Sequence, residues 1–241
     1  IIAWINTNQF FLIHNIAMNS KLISVKDVSK VFKVGEENFT ALRDINLEID
    51  SGSFMSFVGP SGSGKTTILN LIGGLDIPTT GNIFFKNTKL SSMNRNQMAQ
   101  YRRKNIGFIF QTYNLLPVYS VYENILFPLL LNGSKEKDAR ERVMNIINKV
   151  GLSDQVKKRP SQLSGGQCQR VAIARALVKD PLLILADEPS GNLDSASAES
   201  LHKLFFELRD TFNQTFIIVT HNEELATMAD RKLTMRDGVI I

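Results

Sequence analysis

The sequence of 241 residues predicts an α/β fold built around a mainly parallel sheet. Short apolar runs typical of buried strands alternate with helical stretches through most of the chain. Residues 22–57 instead show a period-two pattern, which predicts an antiparallel β section at the amino-terminal end. Residues 113–162 show no strand pattern and predict an inserted helical lobe. Because 43% of the residues are hydrophobic, the chain can bury a sizeable core, and we expect one domain.

The amino-terminal β section leads into the first strand and helix of the parallel part. Turn residues at 50–52 separate its later strands. The run FMSFV, which ends before Gly59, predicts a buried strand. The helix KTTILNLI follows and is ended by Gly73 and Gly74. The stretch GNIFFKNTKL then returns to a strand pattern.

The middle of the chain contains the inserted lobe. Residues 97–103 predict a helix and residues 106–111 a short buried strand. Inside the lobe, apolar residues recur at helical spacing and predict an amphipathic helix over 135–150. Ser134 is the expected N-cap of this helix, and Gly151 is expected at its end.

The last third of the chain repeats the alternation. Helices are predicted over 166–178 and 196–209, and apolar strands over 182–187 and 215–220. Strands that alternate with helices favour parallel pairing, because each crossover helix packs on a face of the sheet. The pair Asp237 and Gly238 predicts a closing hairpin.

Charge and cysteine content exclude several classes of protein. The net charge is +5, but the 28 basic and 23 acidic residues are interspersed, which indicates a solvated surface rather than a nucleic-acid site. The single cysteine, Cys168, leaves no internal disulfide and no cysteine cluster for a metal, which fits a reducing compartment.

Residues 1–17 form an uncharged upstream extension of unknown status, and the domain is expected to run over 18–241. The extension has no basic n-region, and its polar residues break the apolar run well short of the ~20 residues that a membrane span requires. Any action on a membrane is therefore expected to pass through a partner chain.

The segment GPSGSGKT fits the pattern G-x-x-x-x-G-K-[ST], which defines a P-loop, at every fixed position between a strand and a helix. Its glycines allow backbone N–H groups to converge on phosphate oxygens at the start of the helix. Lys65 is expected to neutralise the β and γ phosphates, and the Thr66 hydroxyl to bind Mg²⁺. The sequence therefore predicts a nucleoside triphosphate site formed by Gly59, Pro60, Ser61, Gly62, Ser63, Gly64, Lys65, Thr66 and Thr67.

A pair of carboxylates follows a second buried strand, in LLILADEP. A triphosphatase needs a carboxylate near the metal and a group that activates water. Asp187 is the expected Mg²⁺ partner, and Glu188 is the expected general base.

The pentapeptide LSGGQ resembles the signature of the ATP-binding-cassette (ABC) ATPases. The rest of that pattern follows in order over about residues 21–241. Gln111 resembles the Q-loop glutamine, Asp194 in SGNLD the D-loop aspartate, and His221 the switch histidine. Phe32 stands where this family places an aromatic that stacks on adenine. Two positions depart from the usual pattern, Cys168 after the signature and Ser190 in the D-loop. His14 and His202 match no motif and are expected to be structural or exposed.

The resemblance implies an ATPase with ATP and Mg²⁺ as cofactors. Glu188, His221 and Gln111 would be catalytic, and Thr66, Gln111 and Asp187 would surround the metal. It also implies a homodimer formed on ATP binding, in which the signature acts on the partner's nucleotide. The signature residues are Leu163, Ser164, Gly165, Gly166 and Gln167. An integral membrane permease is the implied partner, which would place the chain peripherally on the cytoplasmic face of the cell membrane.

Within the family, the chain resembles the ATPases of lipoprotein release, macrolide export and antimicrobial-peptide resistance, through stretches such as RRKNIGFIFQTYNLLP and EPSGNLDS. The run 113–130 is where the family docks a permease helix, and charge at exposed positions such as Tyr119 is expected to disrupt docking. One alternative is an ATPase that regulates a non-transporting permease in cell division. Another is a soluble DNA-associated ABC ATPase, but only 51 residues separate Gln111 from Leu163, without the heptads of a coiled coil. No nucleic acid is expected as a partner.

Overall fold

The computed structural model describes residues 21–212 and 214–241, so the extension 1–17 and His14 lie outside the described residues. In the described part, two sheets are present, one of four strands and one of six. This arrangement confirms the predicted α/β fold with a mainly parallel sheet and an amino-terminal antiparallel section.

The four-stranded sheet is antiparallel and has the order β2-β1-β4-β5. A long hairpin forms its centre, and Phe32 pairs with Phe39 near the hairpin turn. The strands are β1 (Lys21–Val34), β2 (Glu37–Asp50), β4 (Thr80–Phe85) and β5 (Thr88–Lys89).

The six-stranded sheet has the order β10-β9-β3-β8-β7-β6, and all of its pairs are parallel except β9 with β10. The strands are β3 (Phe54–Val58), β6 (Ile106–Phe110), β7 (Leu183–Asp187), β8 (Thr215–Val219), β9 (Arg231–Arg236) and β10 (Val239–Ile240). Asp237 and Gly238 connect the antiparallel pair, as the hairpin signal predicts. Because parallel strands point the same way, the chain leaves β3, β7 and β8 at one edge of the sheet.

The helices, in chain order, are α1 (Lys65–Ile72), α2 (Arg95–Asn105), α3 (Val121–Leu131), α4 (Glu136–Lys149), α5 (Gly165–Leu177), α6 (Ser195–Phe212) and α7 (Glu223–Thr227). None of the helices in the part of the chain that the structure describes is both long and apolar enough to cross a membrane.

The parallel sheet is buried on both faces, because the side chains of a strand alternate between them. Phe54 of β3 packs into a core that includes Phe205 of α6 and residues of the helical lobe. Met55 and Phe57 point the other way, into a core shared with α1 and the antiparallel sheet. Because both faces of β3 are packed, the start of the loop that follows β3 is fixed in position.

Two features of the lobe differ from the predictions. The expected cap of α4 was wrong: Lys135 occupies the N-cap position and makes no side-chain cap, whereas the Ser134 N–H donates to Leu129 O at 3.0 Å and closes the preceding helix. That preceding helix, α3, was not predicted, because its apolar residues lack helical periodicity and it contains Pro128. Its signal was the capping box of Ser120 and Glu123.

Candidate active site

The loop between β3 and α1 depends on glycine at two positions. Gly59 has φ +148°, and a Cβ there would lie 2.1 Å from Met235 O. Gly64 has φ +102°, and a Cβ there would lie 2.7 Å from Ala41 O. Only glycine fits both the backbone conformation and the close approach of neighbouring backbone. The loop is therefore packed closely against β2 and β9.

Lys65 opens α1 and is 5% exposed. Its Nζ donates to Gly59 O and Pro60 O, both at 2.8 Å, so the loop curves around the ammonium group. Burial lowers the pKa of Lys65, and the nearby carboxylates of Glu188 and Asp187 oppose that shift. The site thus holds a buried cation beside the backbone that would surround phosphates.

Asp187 ends β7 and meets the first turn of α1. The Thr66 hydroxyl donates to Asp187 Oδ1 at 3.1 Å. Burial raises the pKa of Asp187, while the hydrogen bond from Thr66 and the charge of Lys65 oppose the rise. A hydroxyl oxygen and a carboxylate oxygen at this distance are the hard ligands that Mg²⁺ prefers, so the donor set fits that ion.

Glu188 has φ +47°, a left-handed conformation that is uncommon for a residue with a long side chain. Its N–H donates to Val219 O at 2.9 Å, which ties it to β8. Its carboxylate faces His221: the His221 backbone N–H donates to Oε2 at 3.2 Å, and Nε2 lies 3.0 Å from Oε1. Burial raises the pKa of Glu188, and these contacts with His221 oppose the rise. A half-buried carboxylate held against an imidazole suits proton transfer.

One cleft of about 560 Å³ is shared by Lys65, Thr66, Glu188 and His221. Phe32 and Phe39, which pair across the hairpin and are 37% and 55% exposed, line this cleft. The cleft is lined by Phe32, Phe39, Ala41, Ser61, Gly62, Gly64, Lys65, Thr66, Thr67, Gln111, Glu188, Gly191, Val219 and His221. The cleft therefore offers aromatic side chains that could stack on a base and a P-loop that could bind phosphates.

Gln111 follows β6 and lines the cleft beside Gly191. Its Nε2 donates to Asn192 Oδ1 at 3.2 Å, and Asn192 Nδ2 donates back to Gln111 O at 3.1 Å. A Cβ on Gly191 would lie 2.8 Å from the same amide nitrogen. Gln111 is thus held by the segment that follows Glu188.

The signature residues lie at the start of α5 and do not line this cleft. Ser164 is the N-cap: its hydroxyl accepts from Gln167 N at 3.3 Å, and Gln167 Oε1 accepts from Ser164 N at 2.9 Å. Ser164 and Gly165 are exposed. Asp194 is also exposed, and accepts from the Ser197 N–H at 2.9 Å and the Ser197 hydroxyl at 2.7 Å, which hold its pKa below the ordinary value. Within one chain, the signature and the P-loop do not form one site.

Both positions that depart from the usual family pattern, Cys168 and Ser190, pack against the rest of the chain. Cys168 is buried, and burial raises the pKa of its thiol. Ser190 contacts His202 of α6, which is 2% exposed, so this histidine is structural rather than exposed.

Comparison with known proteins identifies the family. The family described as ABC transporter matches residues 42–191. LolD of Cytophaga hutchinsonii, the ATP-binding protein of a lipoprotein-releasing system, is 49% identical over 200 residues, covering 83% of this chain and 91% of that protein. LolD of Bacteroides thetaiotaomicron is 46% identical over 219 residues, covering 91% and 99%.

A solved structure agrees with the sequence relatives. The dimeric post-hydrolysis state of the ATP-binding cassette MJ0796, bound to ADP and Pi, has a TM-score of 0.84 and 39% identity, covering 90% of this chain and 96% of that chain. The chain belongs to the ABC transporter family. It is an ATP-binding-cassette ATPase.

The motifs do not predict Phe39, Ala41, Gly191 and Val219, which line the cleft, or Asn192, which holds Gln111. Phe39 follows from the hairpin register, because the residue opposite Phe32 shares its face of the sheet. Asn192 holds Gln111 from 81 positions away, and no local pattern signals that pair.

Proposed function

We propose that this chain hydrolyses ATP as a head-to-tail dimer that drives a separate membrane permease in lipoprotein release or a related export process. The domain over 18–241 would be the catalytic unit. One observation carries the proposal: the cleft brings P-loop residues together with Glu188 and His221, and Asp187 is hydrogen-bonded to Thr66 beside it, but the signature lies exposed elsewhere on the same chain.

Each residue in and beside the cleft would have a distinct role in binding and hydrolysing ATP. Lys65 and the loop amides would bind the phosphates, and Phe32 with Phe39 would hold the base. Thr66, Asp187 and Gln111 would hold Mg²⁺, which when bound neutralises charge on the phosphate oxygens. Glu188 would accept a proton from the attacking water, and His221 would orient that carboxylate.

A second chain would complete the site. The amides at the amino end of α5, capped by Ser164, suit an anionic γ-phosphate. The start of α5 would therefore face the partner's P-loop, with Asp194 near the interface. LolD names of relatives and the dimeric form of MJ0796 support this assembly.

The permease would dock on the lobe beside Gln111. A groove of about 460 Å³ there combines apolar walls, including Phe108, Pro128 and Leu131, with basic side chains. Arg175 donates to Tyr113 O at 2.8 Å and to Asn114 O, so the segment after Gln111 links this groove to the cleft. The chain would then lie on the cytoplasmic face of the cell membrane.

Sizing the Glu188→Gln variant with and without ATP tests the dimer. This variant retains the binding residues and should trap an ATP-bound dimer, whereas it should remain a monomer without nucleotide. ADP in place of ATP is the control, because ADP lacks the γ-phosphate that the start of α5 would contact, so the variant should stay monomeric with it. A Glu188→Gln chain that stays monomeric in saturating ATP would contradict the proposed assembly.

The proposed docking of the permease is tested by placing a charged side chain at an exposed position of the groove. Tyr119, expected to be exposed, is partly buried with its ring 6.0 Å from Phe127, so Leu131, which is 55% exposed, is the better site. Leu131→Glu should abolish co-purification with the permease and keep basal hydrolysis. Met228→Glu is the matched control, because Met228 is 41% exposed and does not line the groove. Equal retention of the permease by both variants would contradict this docking face.

The transport assignment is tested by reconstituting the co-purified permease in vesicles that contain a lipidated protein. ATP-dependent release of the lipidated protein is the expected result. A reconstituted complex that hydrolyses ATP without releasing it would contradict lipoprotein release.

A further inference from the structure

The segment just after Glu188 is held from two sides by buried polar side chains. Gln169 of α5 donates from Nε2 to Pro189 O at 2.6 Å. His202 of α6 places Nε2 3.1 Å from Ser190 Oγ. Gln169 is 0% exposed and His202 is 2% exposed, so both side chains are shielded from solvent. Side chains of two different helices thus contact two consecutive residues, Pro189 and Ser190.

Keeping these two side chains buried has an energetic cost. Among the described residues, Gln169 Oε1 and His202 Nδ1 have no hydrogen-bond partner. A buried polar atom without a partner costs about 1–3 kcal/mol. Burial lowers the pKa of His202, against the opposing charges of Glu224 and Glu199, so the imidazole is neutral at physiological pH. Apolar side chains of similar size would avoid this cost, which indicates that the two contacts serve something other than stability.

Pro189 and Ser190 belong to a turn that fixes the backbone conformation of Glu188. That residue has φ +47°, a conformation that persists only where neighbouring structure enforces it. On one side its N–H is fixed by Val219 O. On the other side, its carbonyl accepts from Gly191 N at 3.0 Å, which closes a turn through Pro189 and Ser190. The contacts of Gln169 and His202 act on the two central residues of that turn.

We propose that Gln169 and His202 are positioning residues that clamp Pro189 and Ser190 and thereby aim the Glu188 carboxylate at the attacking water. The proposal deepens the proposed function, because it rests on Glu188 as the general base. Gln169 lies on the helix that begins after Ser164. The clamp therefore connects the signature of a chain to the base of the same chain.

The test compares clamp variants in two backgrounds. Gln169→Met and His202→Leu each remove the polar contact and keep an apolar side chain of similar length. In the parent background, each should lower kcat for ATP about tenfold with KM changed less than about twofold, because positioning acts on the chemical step. In the Glu188→Gln background, each should change the residual rate by less than about twofold, because the group that they position is already gone.

Ser190 supplies a matched pair of variants that does not depend on large core substitutions. Ser190→Ala removes the hydroxyl and should behave as His202→Leu does, and combining the two should cause no further loss. Ser190→Thr keeps the hydroxyl and should retain near-parental kcat. Equal losses in both backgrounds, a loss expressed in KM, or parental kcat in all clamp variants would overturn the proposal. Parental activity of Glu188→Gln alone would instead contradict the proposed base.

Discussion

Thr66 Oγ1 and Asp187 Oδ1 lie 3.1 Å apart, although 121 positions separate the two residues in the chain. The contact joins the first turn of α1 to the end of β7, so it spans the two strongest motifs. It also places a hydroxyl and a carboxylate where one small cation can meet both.

The first prediction concerns the metal. Asp187→Asn and Thr66→Val should each remove the increase in ATP affinity that Mg²⁺ causes, whereas Thr66→Ser should preserve it because the hydroxyl remains. Equilibrium dialysis with labelled ATP, in Mg²⁺ and in EDTA, measures this difference. An unchanged Mg²⁺ effect in Asp187→Asn would show that this carboxylate does not serve the ion.

The second prediction concerns the stability cost of Asp187. Folding raises the pKa of this carboxyl, so the folded protein holds the proton more tightly than the unfolded chain. Ionised Asp187 therefore destabilises the nucleotide-free protein above the folded pKa, and this penalty is absent below the unfolded pKa. Asp187→Asn should raise the free energy of unfolding at neutral pH, and the gain should shrink toward acidic pH. Denaturant titrations across that range measure it, and a variant less stable than the parent at neutral pH would argue against a penalty from burying this carboxylate.

The third prediction concerns the base. Glu188→Gln should lower ATP turnover by roughly 10²- to 10⁴-fold and leave ATP binding near the parental value. Because burial raises the pKa of Glu188, the parental rate should rise with pH through an ionisation above the ordinary value of 4.5. The residual rate of the variant should lack that step. Single-turnover rates measured across pH test both features. If the rate of Glu188→Gln still falls at acidic pH as the parental rate does, the ionisation belongs to another group.

The fourth prediction concerns Lys179. Burial lowers the pKa of its ammonium group to about 8, and its Nζ donates to Arg102 O at 3.0 Å. Below that pH, the folded protein carries a buried charge at a cost of about 3 kcal/mol; the cost declines as pH rises and vanishes above the unfolded value. Lys179→Met should therefore stabilise the protein at pH 7 by about 2 kcal/mol, after about 1 kcal/mol for the lost hydrogen bond. Its advantage should fall between pH 8 and 10. A constant difference across this range would contradict the lowered pKa.

Much of the site could be predicted from sequence, because its motifs follow strands that leave the sheet at one edge. β3 leads to Lys65, β7 to Asp187 and Glu188, and β8 to His221. Once parallel pairing is inferred, these motifs must converge. Their roles rest on the family resemblance as well as on this geometry.

Other features depend on contacts that no local pattern encodes. Phe39 reaches the cleft only through the register of a hairpin, and Asn192 reaches Gln111 only through tertiary packing. His202 matches no motif, yet packing buries it against Ser190. Ser134 has the side chain of a helix cap, but its backbone closes α3 instead. For Phe39, Asn192 and His202 the deciding contacts are tertiary, whereas Ser134 is used by the carboxy-terminal end of the preceding helix.

The most direct test of the composite site mixes two inactive variants. Lys65→Ala disables the P-loop and keeps the signature, whereas Ser164→Arg blocks the signature and keeps the P-loop. Each alone should be nearly inactive, since every site in its homodimer lacks one half.

On mixing under subunit exchange, about half the dimers should be hybrids with one intact site each, and up to about a quarter of parental ATP hydrolysis should return. The measurement is the hydrolysis rate of the mixture against each variant alone at the same total concentration. Recovery toward that level is the predicted result. A mixture no more active than its components, although sizing shows that hybrid dimers form, would contradict a site shared between two chains.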